Sequence, residues 1–168
     1  WMSQWIYRGG YPSLELSYSW NKDIAEVTVK QTQKAEKKGD ELLFKLPLKL
    51  EFYFSRGSEK FSIEIMSKEE KFCFKLNRKP LYFRLDPDYE CPVKKLEVSQ
   101  SMLQEQLKRD SDPIGRIEAA QSLATKTANV KILGQCLKSE TDWGVAHRIA
   151  QALGKISGDA ARDVLIKA

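Results

Sequence analysis

The stretch Asp40–Ser55, DELLFKLPLKLEFYFS, decides the fold of the first half of the chain. Its large apolar residues occupy every second position, and lysine and glutamate fill several of the positions between them. A period of two is characteristic of a β-strand with one face against a core and the other in water. Pro47 falls on the polar side, and because proline donates no backbone hydrogen bond it predicts a sheet edge or a bulge. The predicted buried residues are Leu42, Phe44, Leu46, Leu48, Leu50, Phe52 and Phe54.

Shorter segments with the same alternation lie on both sides of this stretch. The predicted strands are Leu14–Trp20, Ile24–Gln33, Lys60–Ser67, Lys71–Leu76 and Leu81–Leu85. The first two are separated by Asn21-Lys22-Asp23, which is turn chemistry, so they predict a hairpin. Short strands at nearly regular spacing, with turns between them, predict an antiparallel β-sandwich over residues 11–92.

From about Leu96 onward the apolar residues recur at the helical period instead. Asp112 followed by Pro113 predicts a helix start, and Asn129 and Asp142 predict two more. Gly158-Asp159 predicts the end of one helix and the beginning of the last. The expected buried stripe of the helix that begins at Pro113 is Ile114, Ile117, Ala120, Leu123 and Ala124.

An internal repeat is visible in this second half. Asp112 and Asp142 are 30 residues apart, and Ala120-Gln121-x-Leu123 recurs at the same offset as Ala150-Gln151-x-Leu153. Helix pairs that repeat at such a period predict HEAT-like α-solenoid repeats over residues 93–168. Because two pairs are fewer than the roughly three that such arrays need, we expect either that the solenoid continues past Ala168 or that the sandwich caps it.

Composition narrows the class of partner. The 168 residues carry a net charge of +5, but acidic and basic residues are interleaved, and we expect no nucleic acid partner. No apolar run reaches the roughly 18–20 residues of a membrane span, so no membrane partner is expected.

The cysteines, Cys73, Cys91 and Cys136, are odd in number and widely spaced, which predicts free thiols and a cytoplasmic location. Cys73 and Cys136 are expected to be buried structural thiols rather than nucleophiles.

The sequence offers little that could carry a reaction. His147 is the only histidine, so an H-E-x-x-H zinc site is impossible within the chain, and we expect His147 to face water. Phosphate-binding and nucleophile-elbow motifs are absent. Asp86-x-Asp88 is interpreted as a turn rather than as a metal-binding or acid–base pair. We therefore predict no catalytic residue, no metal ligand and no cofactor in this chain.

Several motifs, taken in order, resemble a known family. They are Trp5–Leu16 (WIYRGGYPSLEL), Val29–Gln33 (VKQTQ), Leu46-Pro47-Leu48, Asp86-Pro87 and Asp112–Leu123. Together they resemble the C-terminal part of the aminopeptidase N-like gluzincin family of zinc aminopeptidases. The first motif resembles the segment that leaves the catalytic domain of that family. The middle motifs resemble its β-sandwich, and the last resembles its HEAT-like helical domain. The helical part is much shorter than that family usually has.

The resemblance implies that the intact protein removes N-terminal residues from peptides with one zinc ion. The family's G-x-M-E-N and H-E-x-x-H motifs and its downstream glutamate are missing here, so no catalytic or metal-binding role carries over to any residue. The chain also begins with Trp1 instead of Met, which predicts a piece of a longer protein. Residues 1–10 would be the tail of a missing catalytic domain, and Trp1, Trp5 and Tyr11 would help to dock that domain.

A second hypothesis belongs to another class of function. Members of the family that have lost the peptidase site serve as scaffolds. The same two-part architecture would then be a non-enzymatic protein–protein interaction module that uses the concave face of its helices.

Overall fold

The computed structural model describes Gln4, Ile6 and residues 10–33, 42–91 and 98–167. The chain divides into two compact units, Trp1–Val98 and Ser99–Ala168. The described strands all belong to the first unit, and the helices of residues 98–167 make up the second. Residues 92–97 lie outside the described residues, so the predicted boundary between residues 92 and 93 stays a prediction. The same holds for the separate role predicted for residues 1–10.

The first unit contains two antiparallel sheets of three strands each. The strands are β1 (Leu14–Asn21), β2 (Ile24–Gln31), β3 (Leu46–Tyr53), β4 (Ser58–Ile65), β5 (Glu69–Lys75) and β6 (Tyr82–Leu85). Their order is β1-β2-β5 in one sheet and β4-β3-β6 in the other. The predicted hairpin is confirmed, because Leu14 of β1 lies opposite Gln31 of β2. Lys22 and Asp23 have positive φ angles of 43° and 66°, as a tight turn between two strands requires.

Aromatic rings join the two sheets into a sandwich. The ring of Phe52 on β3 lies 5.3 Å from that of Phe74 on β5, and Phe61 on β4 is 4.7 Å from the same Phe74. Tyr18 on β1 is 5.2 Å from Phe83 on β6, which lies opposite Phe52. Rings at this separation contribute roughly 0.5–1.5 kcal/mol each beyond the burial of their area. The antiparallel sandwich predicted from the sequence is confirmed.

The stretch that decides the fold forms a shorter strand than its pattern predicts. Six of its seven alternating apolar residues, from Phe44 to Phe54, are buried as expected, and Leu42 is half-buried. The strand, however, begins at Leu46, and the described residues 42–45 before it are not part of it. At Phe44 and Lys45 the backbone binds glutamine side chains instead of a neighbouring strand. The ladder of the sheet therefore starts only beyond these two residues.

Pro47 lies at a sheet edge, which confirms the prediction. Only Leu50–Tyr53 of β3 pairs with β6. The carbonyl of Lys49, the residue just before this pairing, faces the same side and accepts from the Asp86 N–H at 2.7 Å. Residues two apart in a strand direct their backbone groups to the same side. The nitrogen of Pro47 thus faces the edge beyond the end of β6, where a missing N–H removes no rung of the ladder.

The second unit contains five helices within its described residues, 99–167. They are α1 (Gln100–Arg109), α2 (Pro113–Leu123), α3 (Val130–Ser139), α4 (Trp143–Lys155) and α5 (Asp159–Ile166), with a short 3₁₀ turn at Thr127–Asn129 before α3. Helix α2 packs against α1 and α4, and α4 packs against α3 and α5. Helices α3 and α5 also pack against each other, so the equivalent helices of the two pairs, α2 with α4 and α3 with α5, are stacked.

The predicted repeat is confirmed by the two aspartates that begin the first helix of each pair. Asp112 Oδ1 accepts from the Ile114 N–H at 3.0 Å, and Asp142 Oδ1 accepts from the Val145 N–H at 3.0 Å. Asn129 precedes α3 as predicted, but its side chain does not cap that helix. It donates instead to the Leu123 carbonyl at 2.9 Å and to Gln100 Oε1 at 2.7 Å. The predicted helix start at Asn129 is confirmed, but its side chain does not make the hydrogen bond typical of a cap.

The buried face of α2 differs from the predicted stripe. Ile114 is 48% exposed and Ile117 is half-buried, whereas Gly115 and Ala119 are buried together with the expected Ala120 and Leu123. The Gly115 carbonyl accepts from the Gln106 side chain of α1 at 2.9 Å. Helix α2 packs between α1 and α4, and small residues on its buried face allow that close packing.

Candidate functional site

The structure describes one of the three predicted docking residues. Tyr11 lies just before β1 and is 49% exposed, and Ile6, further towards the N-terminus, is 62% exposed. Trp1 and Trp5 lie outside the described residues. Gly10, next to Tyr11, has a φ of +88°, and a Cβ there would lie 3.3 Å from Leu42 Cδ2. Gly10 thus lies close to Leu42, in the stretch that decides the fold.

Two glutamine side chains hold that start in place. Gln31 Nε2 donates to the Phe44 carbonyl at 2.8 Å, and the Phe44 N–H donates to Gln31 Oε1 at 3.0 Å. Gln4 repeats this arrangement one residue further, with Nε2 2.8 Å from the Lys45 carbonyl and Oε1 3.0 Å from the Lys45 nitrogen. Each amide makes both hydrogen bonds that a neighbouring strand would make.

Gln33 extends this network to the residues beside Tyr11. Its Nε2 donates to Gln31 Oε1 at 2.8 Å and to the Leu42 carbonyl at 2.7 Å, while its Oε1 accepts from the Ser13 N–H at 3.1 Å. We call Gln4, Gln31 and Gln33 the glutamine cluster. The sequence contained a signal for it, because Gln31 shares its side of β2 with the buried Val27 and Val29. A polar residue on that side needs a buried partner.

A groove lies on the helical unit between α3 and α5. It has a volume of about 520 Å³ and is lined by Thr127, Ala128, Val130, Lys131, Gly134, Gln135, Lys138, Ala160, Val164 and Lys167. Its floor is formed where α5 crosses α3, because a Cβ at Gly134 would lie 2.5 Å from Val164 Cγ1. Lys131, Lys138 and Lys167 are exposed along it. Sequence reasoning did not find this groove, since no motif marks it.

An ion pair links the first turn of α2 to the turn before α4. Arg116 Nε donates to Glu140 Oε2 at 2.9 Å, Arg116 Nη2 donates to Glu140 Oε1 at 3.0 Å, and both side chains are largely buried. Arg116 Nη1 also donates to the Asp110 carbonyl at 2.8 Å. Burial acts to raise the pKa of Glu140, but the hydrogen bonds from Arg116 and from the Asp142 N–H outweigh it and lower that pKa. This pair therefore connects α2, in the first helix pair, to the residues that precede the second pair.

The acidic residues after β6 make a turn, as predicted. The Asp86 carboxylate accepts from the N–H groups of Glu90 at 2.8 Å and Cys91 at 2.6 Å. Asp88 points elsewhere, and its Oδ2 lies 2.6 Å from Lys49 Nζ at the surface. The hydrogen bond from Lys49 lowers the pKa of Asp88. The two aspartates thus have separate partners and do not form an acid–base pair.

The three cysteines are free thiols in different surroundings. Cys91 and Cys136 are buried, and burial raises the pKa of both, that of Cys91 to about 12 with a smaller contribution from Asp86. A thiol with a raised pKa is a poor nucleophile. Cys73 is exposed, so the prediction that it is buried was wrong. It lies between Phe72 and Phe74 on β5, and those two rings are the ones that turn towards the core.

The described residues show no arrangement typical of a metalloenzyme. Within residues 10–33, 42–91 and 98–167, no three His, Cys, Asp or Glu side chains are grouped in a way that would hold a metal ion. His147 is exposed on α4, as predicted. None of the described helices is both long and apolar enough to cross a lipid bilayer.

The helical unit is similar to a known repeat family. Residues 101–168 match the family model of HEAT repeats. This agrees with the helix pairs seen in the structure and with the 30-residue offset of their aspartate caps. A search of curated proteins finds no match.

Among solved structures, the chain is similar to aminopeptidase A of Legionella pneumophila, crystallised in complex with aspartic acid. The two are 17% identical in sequence, with a TM-score of 0.62. The similarity covers 99% of this chain but only 22% of the aminopeptidase chain. It therefore shows a shared fold, a β-sandwich followed by HEAT-like helices, over a small part of that larger protein.

Proposed function

We propose that this chain is a non-catalytic part of a zinc-dependent aminopeptidase of the aminopeptidase N-like gluzincin family. It would supply the β-sandwich and the beginning of the helical domain of an enzyme that removes N-terminal residues from peptides. One observation supports this most directly: the likeness to an aminopeptidase extends over 99% of the chain and so includes both of its units.

In this proposal the chain supports the enzyme and does not itself react. The zinc ion and the residues that bind it belong to the catalytic domain of the same polypeptide, which is the chief partner. Trp1, Trp5 and Tyr11 help to dock that domain, and peptides are the substrates of the intact protein. A cytoplasmic location is part of the proposal, supported by three cysteines that form no disulfide.

The test begins with the reading frame upstream of Trp1. We expect it to encode H-E-x-x-H followed by a glutamate, as zinc binding and general-base catalysis require. The longer protein, once expressed, should hydrolyse an aminoacyl reporter and lose that activity when zinc is chelated. Residues 1–168 alone should release no amino acid and bind no stoichiometric zinc. An upstream frame without the motif, or turnover by residues 1–168 with bound zinc, would contradict the proposal.

A second candidate function is a non-enzymatic scaffold for protein–protein interaction. The match of residues 101–168 to HEAT repeats favours it, since stacked helix pairs present extended surfaces to partners. A pull-down separates the two functions. The scaffold requires a partner other than an aminopeptidase domain, whereas the first proposal requires only the catalytic domain encoded upstream.

A further inference from the structure

We propose that the groove between α3 and α5 binds an acidic amphipathic peptide segment, whose carboxylates would meet Lys131, Lys138 and Lys167. This inference concerns the helical unit alone and holds for either function proposed above.

The floor of the groove suits apolar side chains. Val130 and Gly134 are buried on α3, and Val164 of α5 is half-buried directly above Gly134. Ala128 and Ala160 add small apolar surfaces beside them. The volume of the groove, about 520 Å³, is within the range found for ligand-binding pockets. Apolar residues one or two helical turns apart in a peptide would fill it.

The charges of the groove have one sign. Three of its lining residues are lysines, and the lining includes no carboxylate. Lys131 and Lys138 are seven residues apart on α3, so they lie on the same face about 10 Å from each other. Four other cations of this unit are differently placed, since Lys108, Arg109, Arg116 and Arg162 form salt bridges with neighbouring carboxylates. The three groove lysines are therefore available to acidic groups of a partner.

The lining favours a peptide over a nucleic acid. Single-stranded nucleic acids are bound by basic grooves that also carry aromatic side chains for base stacking. This groove contains neither an aromatic residue nor an arginine. Apolar contacts flanked by lysines match the pattern of an amphipathic helix with acidic residues beside its apolar stripe.

The test uses the whole chain and three defined probes. The first probe is a fluorescent amphipathic peptide of about 14 residues with leucines at helical spacing and glutamates beside them. The second has lysine in place of every glutamate, and the third is an oligothymidylate. We expect the acidic peptide to bind at least about tenfold more tightly than the basic one, more weakly as salt rises, and to shift backbone amide signals of residues 127–138 and 160–167 in NMR spectra.

Charge reversal locates the site. The variant Lys131→Glu, Lys138→Glu, Lys167→Glu should lose about tenfold or more in affinity for the acidic peptide. The matched control Lys75→Glu, Lys79→Glu, Lys155→Glu changes three exposed lysines outside the groove by the same total charge, and it should bind as the parent does. Equal losses in both variants, no preference for the acidic peptide, or tighter lysine-dependent binding of the oligothymidylate would each overturn the proposal. None of these results bears on the reading frame upstream of Trp1.

Discussion

Gln31 and Asn129 are both 2% exposed, and each has a side-chain amide that binds backbone groups of other segments. Gln31 binds Phe44 and also donates to the Ser67 carbonyl at 3.1 Å. Asn129 joins the end of α2 to Gln100 and Gln104 of α1. Buried amides of this kind stabilise a fold mainly because their loss leaves desolvated partners behind.

Replacing Gln31 should therefore destabilise the sandwich. In Gln31→Leu the apolar side chain keeps most of the volume but makes no hydrogen bond to Phe44. We expect the free energy of unfolding to fall by about 1–3 kcal/mol, measured by urea denaturation. The same substitution at the exposed Gln121, Gln121→Leu, is the control and should change stability by less than about 0.5 kcal/mol. Equal effects at the two positions would show that the hydrogen bonds to Phe44 contribute little.

The thiols should differ in reactivity according to their burial. In the native chain, Cys73 should react rapidly with a disulfide reagent such as DTNB, while Cys91 and Cys136 should react only after unfolding. Counting released chromophore in buffer and in urea measures both populations. The variant Cys73→Ser should lose the rapid phase. A rapid phase that survives this substitution would mean that one of the other two thiols is accessible.

Among the helices, the crossing of α5 over α3 depends on one missing side chain. A Cβ at Gly134 would lie 2.5 Å from Val164 Cγ1, closer than atoms can approach without movement. Gly134→Ala should therefore destabilise the helical unit by about 1–3 kcal/mol, although alanine is the better helix former. Hydrogen exchange of the α3 and α5 amides measures this loss in the helical unit alone.

Two further variants separate the contact from helix propensity. Gly154 lies in α4, and a Cβ added there would meet no atom of another element within 4 Å, so Gly154→Ala should stabilise the unit by about 0.5–1 kcal/mol. Adding Val164→Ala to Gly134→Ala should restore part of the lost stability, since it removes the atoms that clash. If the double variant is no more stable than Gly134→Ala, the close approach is not the cause.

The ion pair between Arg116 and Glu140 should make the helical unit sensitive to acid. The pKa of Glu140 lies below its ordinary value of 4.5 in the folded chain. Stability from this pair is therefore present above about pH 4.5 and is lost as pH falls through the folded pKa. Glu140→Gln should reduce the free energy of unfolding by about 1–3 kcal/mol at neutral pH and should remove this part of the acid dependence, both measured by denaturation at several pH values.

The control is Glu64→Gln, at an exposed position of β4. It should leave both the stability at neutral pH and the acid dependence nearly unchanged. Identical pH profiles for Glu140→Gln and the parent chain would contradict the role assigned to the pair.

For the whole molecule, the proposed function predicts that Tyr11 contributes to docking and little to folding. Tyr11→Ser should weaken association with the separately expressed catalytic domain about tenfold, because aromatic residues dominate interface energies, and should change stability by less than about 0.5 kcal/mol. Isothermal calorimetry measures the affinity. Met66→Ser alters a residue that is 48% exposed, close to the 49% of Tyr11, and should leave docking unchanged. Equal losses in the two variants would remove the docking role of Tyr11.

The architecture of both units could be predicted from the sequence, because it depends on local periodicity. The alternation from Phe44 to Phe54 predicted a strand with one buried face, and the aspartates 112 and 142 predicted where two helices begin. Each of these signals lies within one element. A residue's place along a strand or helix decides which face it occupies, whatever lies opposite.

What packs on each face was decided by the tertiary structure. The partners of Phe44 and Lys45 are glutamines 13 and 41 residues away, so where β3 begins depends on residues outside its own pattern. Helix α2 buries Gly115 in place of Ile114 because its neighbours pack closely against it. The groove between α3 and α5 likewise exists only once two helices have crossed at Gly134. Periodicity reports the burial of a face, whereas hydrogen-bond partners, close approaches and grooves arise between elements that are distant in the chain.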